Sequence, residues 1–312
     1  MPKLELLIPI VNVDSSILRL RLEPGYKMEA MSAAEFTGLM NQLDSEFPYS
    51  GYLSRSARLP FVNQVEKKVY MVKWSTNVNA AELKGVIAPA SHLEKKFGII
   101  NRVSCIQNIL KLLTICKEGT VLAPDHYEML IDEAGETRCL SAQTSGSSIP
   151  SDMKFVIDSD EEESINKFVR ETEFPFKQHY IAFAFDNFYQ SYWVHHVFGF
   201  LSLFISMEAL LADSDQGLAH SLARNTAVLL GEDTGECEDI YGSIKRLYDL
   251  RSDVIHGRSK KRNRLVSITV QDLLELRDYA RGGIRKAASL DLEKDALIKY
   301  LNSQGYPSGK PS

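Results

Sequence analysis

No proline falls between Pro175 and Pro307 in this chain of 312 residues. Nine of its eleven prolines lie at or before Pro175, and the others are Pro307 and Pro311. Proline removes a backbone donor and collides with the preceding helical turn, so a run of consecutive helices requires such a stretch. The second half is therefore expected to be all helical, with helices near 160–172, 177–189, 191–212, 217–230, 236–256, 269–288 and 291–303. The proline-punctuated first half reads as mixed. The length suits two domains of about 150 residues each. We place them at 1–150 and 151–312, an α+β chain with a mixed α/β N-terminal domain followed by an all-α helical bundle.

Within the first half, Leu4–Val11, Ile17–Leu22 and Val65–Trp74 read as strands. Leu18, Leu20 and Leu22 alternate with Arg19 and Arg21, the period of a half-buried strand. Tyr127–Asp132 and Thr137–Leu140 flank Glu133-Ala134-Gly135-Glu136, a hairpin signature. Two helices interrupt the strands. One opens on the capping box Ser32-Ala33-Ala34-Glu35 and carries Phe36, Leu39, Met40 and Leu43 on one face. The other carries Ile100, Val103, Ile106, Leu110 and Leu113 and closes by Gly119. Ser141–Pro150 is small, polar and uncharged, a loop or linker. The acidic run Asp158–Glu163 is conceivable as a metal site, but Ser159 and Glu162 have capping-box spacing, and acids suit a helix N-terminus.

Hydrophobic residues at 44% and a formal charge of -5 describe an ordinary globular chain. They exclude a wholly basic nucleic-acid coat, though not a local basic patch. Cys105, Cys116, Cys139 and Cys237 form no C-x-x-C pair, which indicates a reducing, cytoplasmic setting; Cys105 and Cys116 read as small buried hydrophobes. Glu5 interrupts the apolar start, so Met1–Ile10 is not read as a signal peptide. Asn187–Met207 lacks Asp, Glu, Lys and Arg over 21 residues, but its histidines, serines and amides favour a buried helix over a membrane span. His195 and His196 diverge by about 100° on a helix and make a poor metal pair. No P-loop, dinucleotide fingerprint, nucleophile elbow or H-E-x-x-H occurs, and no metal or cofactor is expected.

The informative segment is Ile240–Arg264. Ile240, Ile244, Leu247 and Arg251 share a helical face, which puts Arg251 at the buried edge of its own helix. A guanidinium there needs a carboxylate, a phosphate or a partner chain. Five residues on stands His256, followed by the helix-stopping Gly257, with Ser252 and Asp253 on the histidine's face. Arg258, Lys260, Lys261, Arg262 and Arg264 come next. Ile240–Arg264 holds eight Lys or Arg against Asp249 and Asp253. By itself this is a solvated basic loop. Beside an arginine and a histidine, it is what gripping a polyanion such as RNA requires. Glu208, on an apolar face, reads as a structural partner for Arg224 or Arg251, or as the group that orients Arg251.

Arg251-Ser252-Asp253-Val254-Ile255-His256 resembles the R-x4-6-H signature of HEPN domains (higher eukaryotes and prokaryotes nucleotide-binding). The surroundings are similar to the Apea-like branch. Leu203–Leu211 resembles its second long helix, Leu222–Leu230 the short helix that follows, and Ile244–Ser252 the approach to the motif. The resemblance covers about half the chain, from near Asp160 onward. Where many members carry Asn, Asp or His directly after the arginine, this chain carries Ser252.

The resemblance implies a helical bundle that forms a homodimer with two motifs facing one groove. It implies metal-independent RNA cleavage in active members, often in toxin or antiviral defence roles, and binding or scaffolding in inactive ones. Arg251 and His256 would be the catalytic pair. Glu208, Ser252 and Asp253 would be auxiliary, and Arg258, Lys260, Lys261, Arg262 and Arg264 would contact RNA. The chemistry suits the residues on its own terms, because RNA carries its own nucleophile, the 2'-hydroxyl. An imidazole exchanges protons near neutrality, and a guanidinium can hold the phosphate. Residues five apart on a regular helix diverge by about 140°. The pair therefore needs either a distorted helix near Ile255 or two chains. A non-catalytic module binding RNA or protein, and a nucleotide- or small-ligand-binding protein, are the alternatives.

Overall fold

The computed structural model describes residues 1–46, 62–79, 94–144, 154–213, 217–257 and 267–306. The chain divides into two compact units, Met1–Thr172 and Glu173–Ser312. The first is built on an antiparallel sheet and the second on helices, so the fold is α+β.

The sheet consists of β1 (Lys3–Ile10), β2 (Tyr26–Ser32), β3 (Lys68–Asn77), β4 (Asp125–Ile131) and β5 (Thr137–Thr144), in the order β2-β3-β1-β4-β5. The central strand β1 is buried from Leu4 to Ile10, as a strand covered on both faces must be. Glu5 within it is tied to Lys3 at 2.7 Å and Lys73 at 3.0 Å. Helix α1 (Ala33–Glu46) packs on β2, β3 and β5. Its Ser32–Glu35 capping box forms, and Phe36 and Met40 are buried. Helix α2 (Ile99–Leu113) joins the core of Leu4, Leu6, Ile8 and Val72 through Ile99, Val103, Ile106 and Leu110. The buried stripe starts at Ile99, not at the expected Ile100, which is 55% exposed. The helix also ends at Leu113, before Gly119. Cys116 therefore lies beyond it, and both Cys105 and Cys116 are half-buried, not buried as expected. The β4–β5 turn is organised by the Asp132 carboxylate, which accepts from the Ala134 and Glu136 amides at 2.9 Å.

Three further expectations differ. Ile17–Leu22 is not a strand: Ser15–Arg19 is a 3-10 turn, because the Asp14 carboxylate accepts from the Ser16 amide at 2.9 Å and offers the backbone a local alternative. Ser159 does not cap the next helix, α3 (Glu162–Glu171); Asp158 and Glu161 instead bind Lys117. That pairing holds the Asp158 carboxyl below its ordinary range. And α3 belongs to the first unit, not to the second domain. Buried Asn166 donates to the Arg19 carbonyl at 3.0 Å and accepts from the Arg21 amide at 2.6 Å. The boundary accordingly falls after Thr172 and not at 150, and Ser141–Thr144 of the expected linker is strand.

The second unit comprises α4 (His179–Gln190), α5 (His196–Leu211), α6 (Leu218–Leu230), α7 (Thr234–His256), α8 (Val270–Leu290) and α9 (Lys294–Ser303). It contains no strand among the described residues. Helix α5 is apolar almost all round and is packed by α4, α6 and α8, as such a helix must be. The α4–α5 connection is held from α8. Buried Arg277 donates to the Ser191 carbonyl at 2.8 Å and lies 4.0 Å over the Tyr192 ring, while Arg281 donates to the Tyr192 hydroxyl at 3.1 Å. A Cβ at Gly199 would stand 2.7 Å from the Ser191 carbonyl oxygen, so glycine lets α5 approach that turn. His195 is the N-cap of α5 and not part of the helix, and its ring lies 4.0 Å from that of His196. No helix among the described residues is long and apolar enough to cross a membrane.

Candidate functional site

The face of α7 that enters the bundle is Cys237, Ile240, Ile244 and Leu247. Arg251 continues that row one turn on and is half-buried. Its guanidinium meets three side chains. Glu208 on α5 lies 3.3 Å from one terminal nitrogen. The other terminal nitrogen donates to the Tyr248 hydroxyl at 3.3 Å. The guanidinium carbon stands 5.1 Å from the centre of the Tyr248 ring and 5.8 Å from that of Phe204. The two rings meet edge to face at 5.5 Å, and Phe204 is fully buried.

Glu208 therefore pairs with Arg251 and not with Arg224. Arg224 is used elsewhere, donating to the Leu301 and Gln304 carbonyls at 3.1 and 2.7 Å. The Glu208–Arg251 contact is close but not aligned as a hydrogen bond: the Glu208 Oε1 nearest the guanidinium has no hydrogen-bond partner among the described residues. Burial raises the Glu208 carboxyl above its ordinary range, and the Arg251 charge offsets this only in part. Behind it, Lys294 at the start of α9 donates to the Ala209 carbonyl at 2.6 Å, satisfying the C-terminal end of α5. Burial lowers the Lys294 ammonium to about 8, against the opposing charges of Asp213 and Asp295.

His256 is the last residue of α7 and is exposed, as is Ile255 before it. Gly257 ends the helix in the left-handed region at φ 63°, its amide bonding the Val254 carbonyl at 3.2 Å. Helix α7 stays regular through Ile255, so the distortion that would turn Arg251 and His256 onto one face is absent. Ser252 and Asp253 are half-buried on the last turns of the same helix. The basic residues Arg258, Lys260, Lys261, Arg262 and Arg264 lie outside the described residues. Among the described residues no group of three His, Cys, Asp or Glu is placed to hold a metal ion.

Within one chain, then, Arg251 and Glu208 come together, and His256 stands apart at the helix end. The sequence reading did not single out Phe204 and Tyr248. Tyr248 lies three residues before Arg251 and Phe204 four before Glu208, spacings that place each beside its partner on its own helix. Comparison with models of protein families, with curated proteins and with solved structures finds no match.

Proposed function

We propose that the helical unit is a HEPN-like domain and that the chain is a metal-independent endoribonuclease, acting in a toxin or antiviral defence setting in the cytoplasm. Its reaction centre forms between two copies. The observation that carries this reading is the state of Arg251: a half-buried guanidinium backed by aromatic rings and facing one carboxylate without a hydrogen bond to it, on the helix whose last residue is an exposed imidazole. A guanidinium so loosely neutralised can accept a phosphate.

The chemistry follows from those two groups. The ribose 2'-oxygen attacks the adjacent phosphorus, and the bond from phosphorus to the 5'-oxygen breaks. One imidazole removes the 2'-hydroxyl proton and a second protonates the leaving 5'-oxygen, so two copies of His256 supply base and acid. Arg251 stabilises the charge that builds on the phosphorane oxygens. Arg258, Lys260, Lys261, Arg262 and Arg264 would hold the flanking backbone.

A second reading is a non-catalytic module that binds RNA or a protein. It is favoured by the regularity of α7, which keeps Arg251 and His256 about 140° apart within one chain. Cleavage of single-stranded RNA in chelator separates the two. The parent should cleave, and Arg251→Ala and His256→Ala should each be inactive. Adding excess His256→Ala to the parent should suppress cleavage, because a mixed dimer keeps one imidazole where base and acid are both needed. Equal cleavage by all three proteins removes the catalytic reading. Salt-sensitive binding without turnover selects the second.

A further inference from the structure

An arginine that stabilises a transition state must be held in place before the charge develops, because a donor that has to be ordered during the reaction contributes less. The side chain has several rotatable bonds, and its fork of five N–H donors is useful only in a fixed plane. What fixes the plane of Arg251 is therefore a functional question. Glu208 does not do it by hydrogen bonding, since its nearer oxygen has no hydrogen-bond partner among the described residues. The one hydrogen bond that the guanidinium makes among the described residues runs from Nη1 to the Tyr248 hydroxyl, at 3.3 Å. The same tyrosine presents its ring 5.1 Å from the guanidinium carbon, and fully buried Phe204 supports that ring edge to face.

We infer that Tyr248 is a positioning residue for Arg251. Its hydroxyl holds one terminal nitrogen and its ring backs the guanidinium, leaving the remaining N–H donors to a phosphate of the RNA. This rests on the reading of Arg251 as the phosphate grip. Tyr248 acts through Arg251 and does not itself touch the reacting atoms. Phe204 is the wall behind it, too deeply buried to meet a ligand.

The test uses the full chain with Tyr248→Phe, which keeps the ring and removes the hydroxyl, and Tyr248→Leu, which removes both. Four quantities are read: kcat and KM on single-stranded RNA, the thermal midpoint, and the order parameter of the Arg251 Nε–H group by NMR without RNA, assigned by comparison with Arg251→Lys. For Tyr248→Phe we expect kcat to fall about tenfold with KM within about twofold, the pattern of an interaction made in the transition state. The Arg251 Nε–H should lose order while the thermal midpoint stays within about 2 °C. Tyr248→Leu should lose more of kcat and more order. A residue that only packs would give the opposite split, with an unchanged Phe variant and a Leu variant reduced in midpoint alone. An Arg251 signal equally ordered in parent and Phe variant overturns the inference whatever the kinetics. If Tyr248→Phe loosens the signal and the parent still cuts no RNA, the positioning role stands and the ribonuclease reading fails.

Discussion

The middle and the end of α7 each carry an arginine that reaches another helix, and the two are satisfied in opposite ways. Arg246 spans to α8, where it bonds Asp272 at 2.6 Å and Glu275 as well. Asp272 is fixed by its own capping box with Thr269. Burial works against its ionised form, yet the bonds from Thr269 and Arg246 prevail and hold the carboxyl low. Arg251, five residues on, has one hydroxyl, two aromatic rings and a carboxylate that is near but unaligned. A guanidinium closed by two carboxylates is a strut between helices. One resting on rings keeps much of its charge for another anion. The same residue type on one helix thus carries architecture at one level and the proposed chemistry at the next.

The contrast breaks most severely if its apolar support is removed. Phe204→Ala deletes a fully buried ring that touches Tyr248 and lies near Arg251. It should cost about 3–5 kcal/mol in urea unfolding, the range for large-to-small changes of a buried aromatic. A loss under about 1 kcal/mol would mean that the rings are incidental to the end of α7.

Arg251→Ala should lower kcat/KM for RNA by at least about 100-fold, equivalent to about 2.7 kcal/mol of transition-state stabilisation. It should destabilise the fold less than Phe204→Ala does, since the Arg251 side chain is 23% exposed and Phe204 is fully buried. Arg246→Ala sharpens the comparison from the other side. Its side chain is 51% exposed, so even a two-carboxylate pair is worth at most about 1 kcal/mol, a fall of roughly 2–4 °C in the thermal midpoint. RNA cleavage should not change. Equal kinetic losses in the two arginine variants would erase the distinction.

How much of this could be read beforehand differs between the two units. The proline-free stretch marks the helices of the second unit because a missing proline acts at every turn at once, and His256-Gly257 marks the end of α7 because its signal is local. The Thr269–Asp272 capping box is equally legible in the sequence. In the first unit, β2 gave no signal. Tyr26–Ser32 lacks β-branched residues, and its strand form comes from pairing with β3, a context-dependent preference. Asn166 likewise could not announce that α3 belongs with the sheet, since its partners Arg19 and Arg21 are remote in sequence. At the candidate site, Arg251's need for a carboxylate, a phosphate or a partner chain followed from helical periodicity. Which aromatics would support it depends on how α5 meets α7, and that is decided by packing across the bundle.

Glu208 gives the smallest effect and the finest discrimination, because its sign is not obvious. Burial raises its carboxyl and the Arg251 charge lowers it by less, so the folded chain holds the proton more tightly than the unfolded chain does. The stability this group contributes is therefore fully present below its ordinary value of 4.5 and is lost as pH rises through the raised value. At neutral pH the ionised carboxylate stands on the unfavourable side of that titration. Glu208→Gln, which keeps the shape and removes the titration, should leave the thermal midpoint at pH 7 unchanged or raised, by less than about 1 kcal/mol in stability. It should also flatten the midpoint's dependence on pH just above 4.5, and it should tighten RNA binding slightly by leaving Arg251 less neutralised. A lower midpoint at pH 7 would show that the attraction to Arg251 exceeds the burial penalty. Arg251 would then be a strut of the same kind as Arg246, and its availability to phosphate would need another explanation.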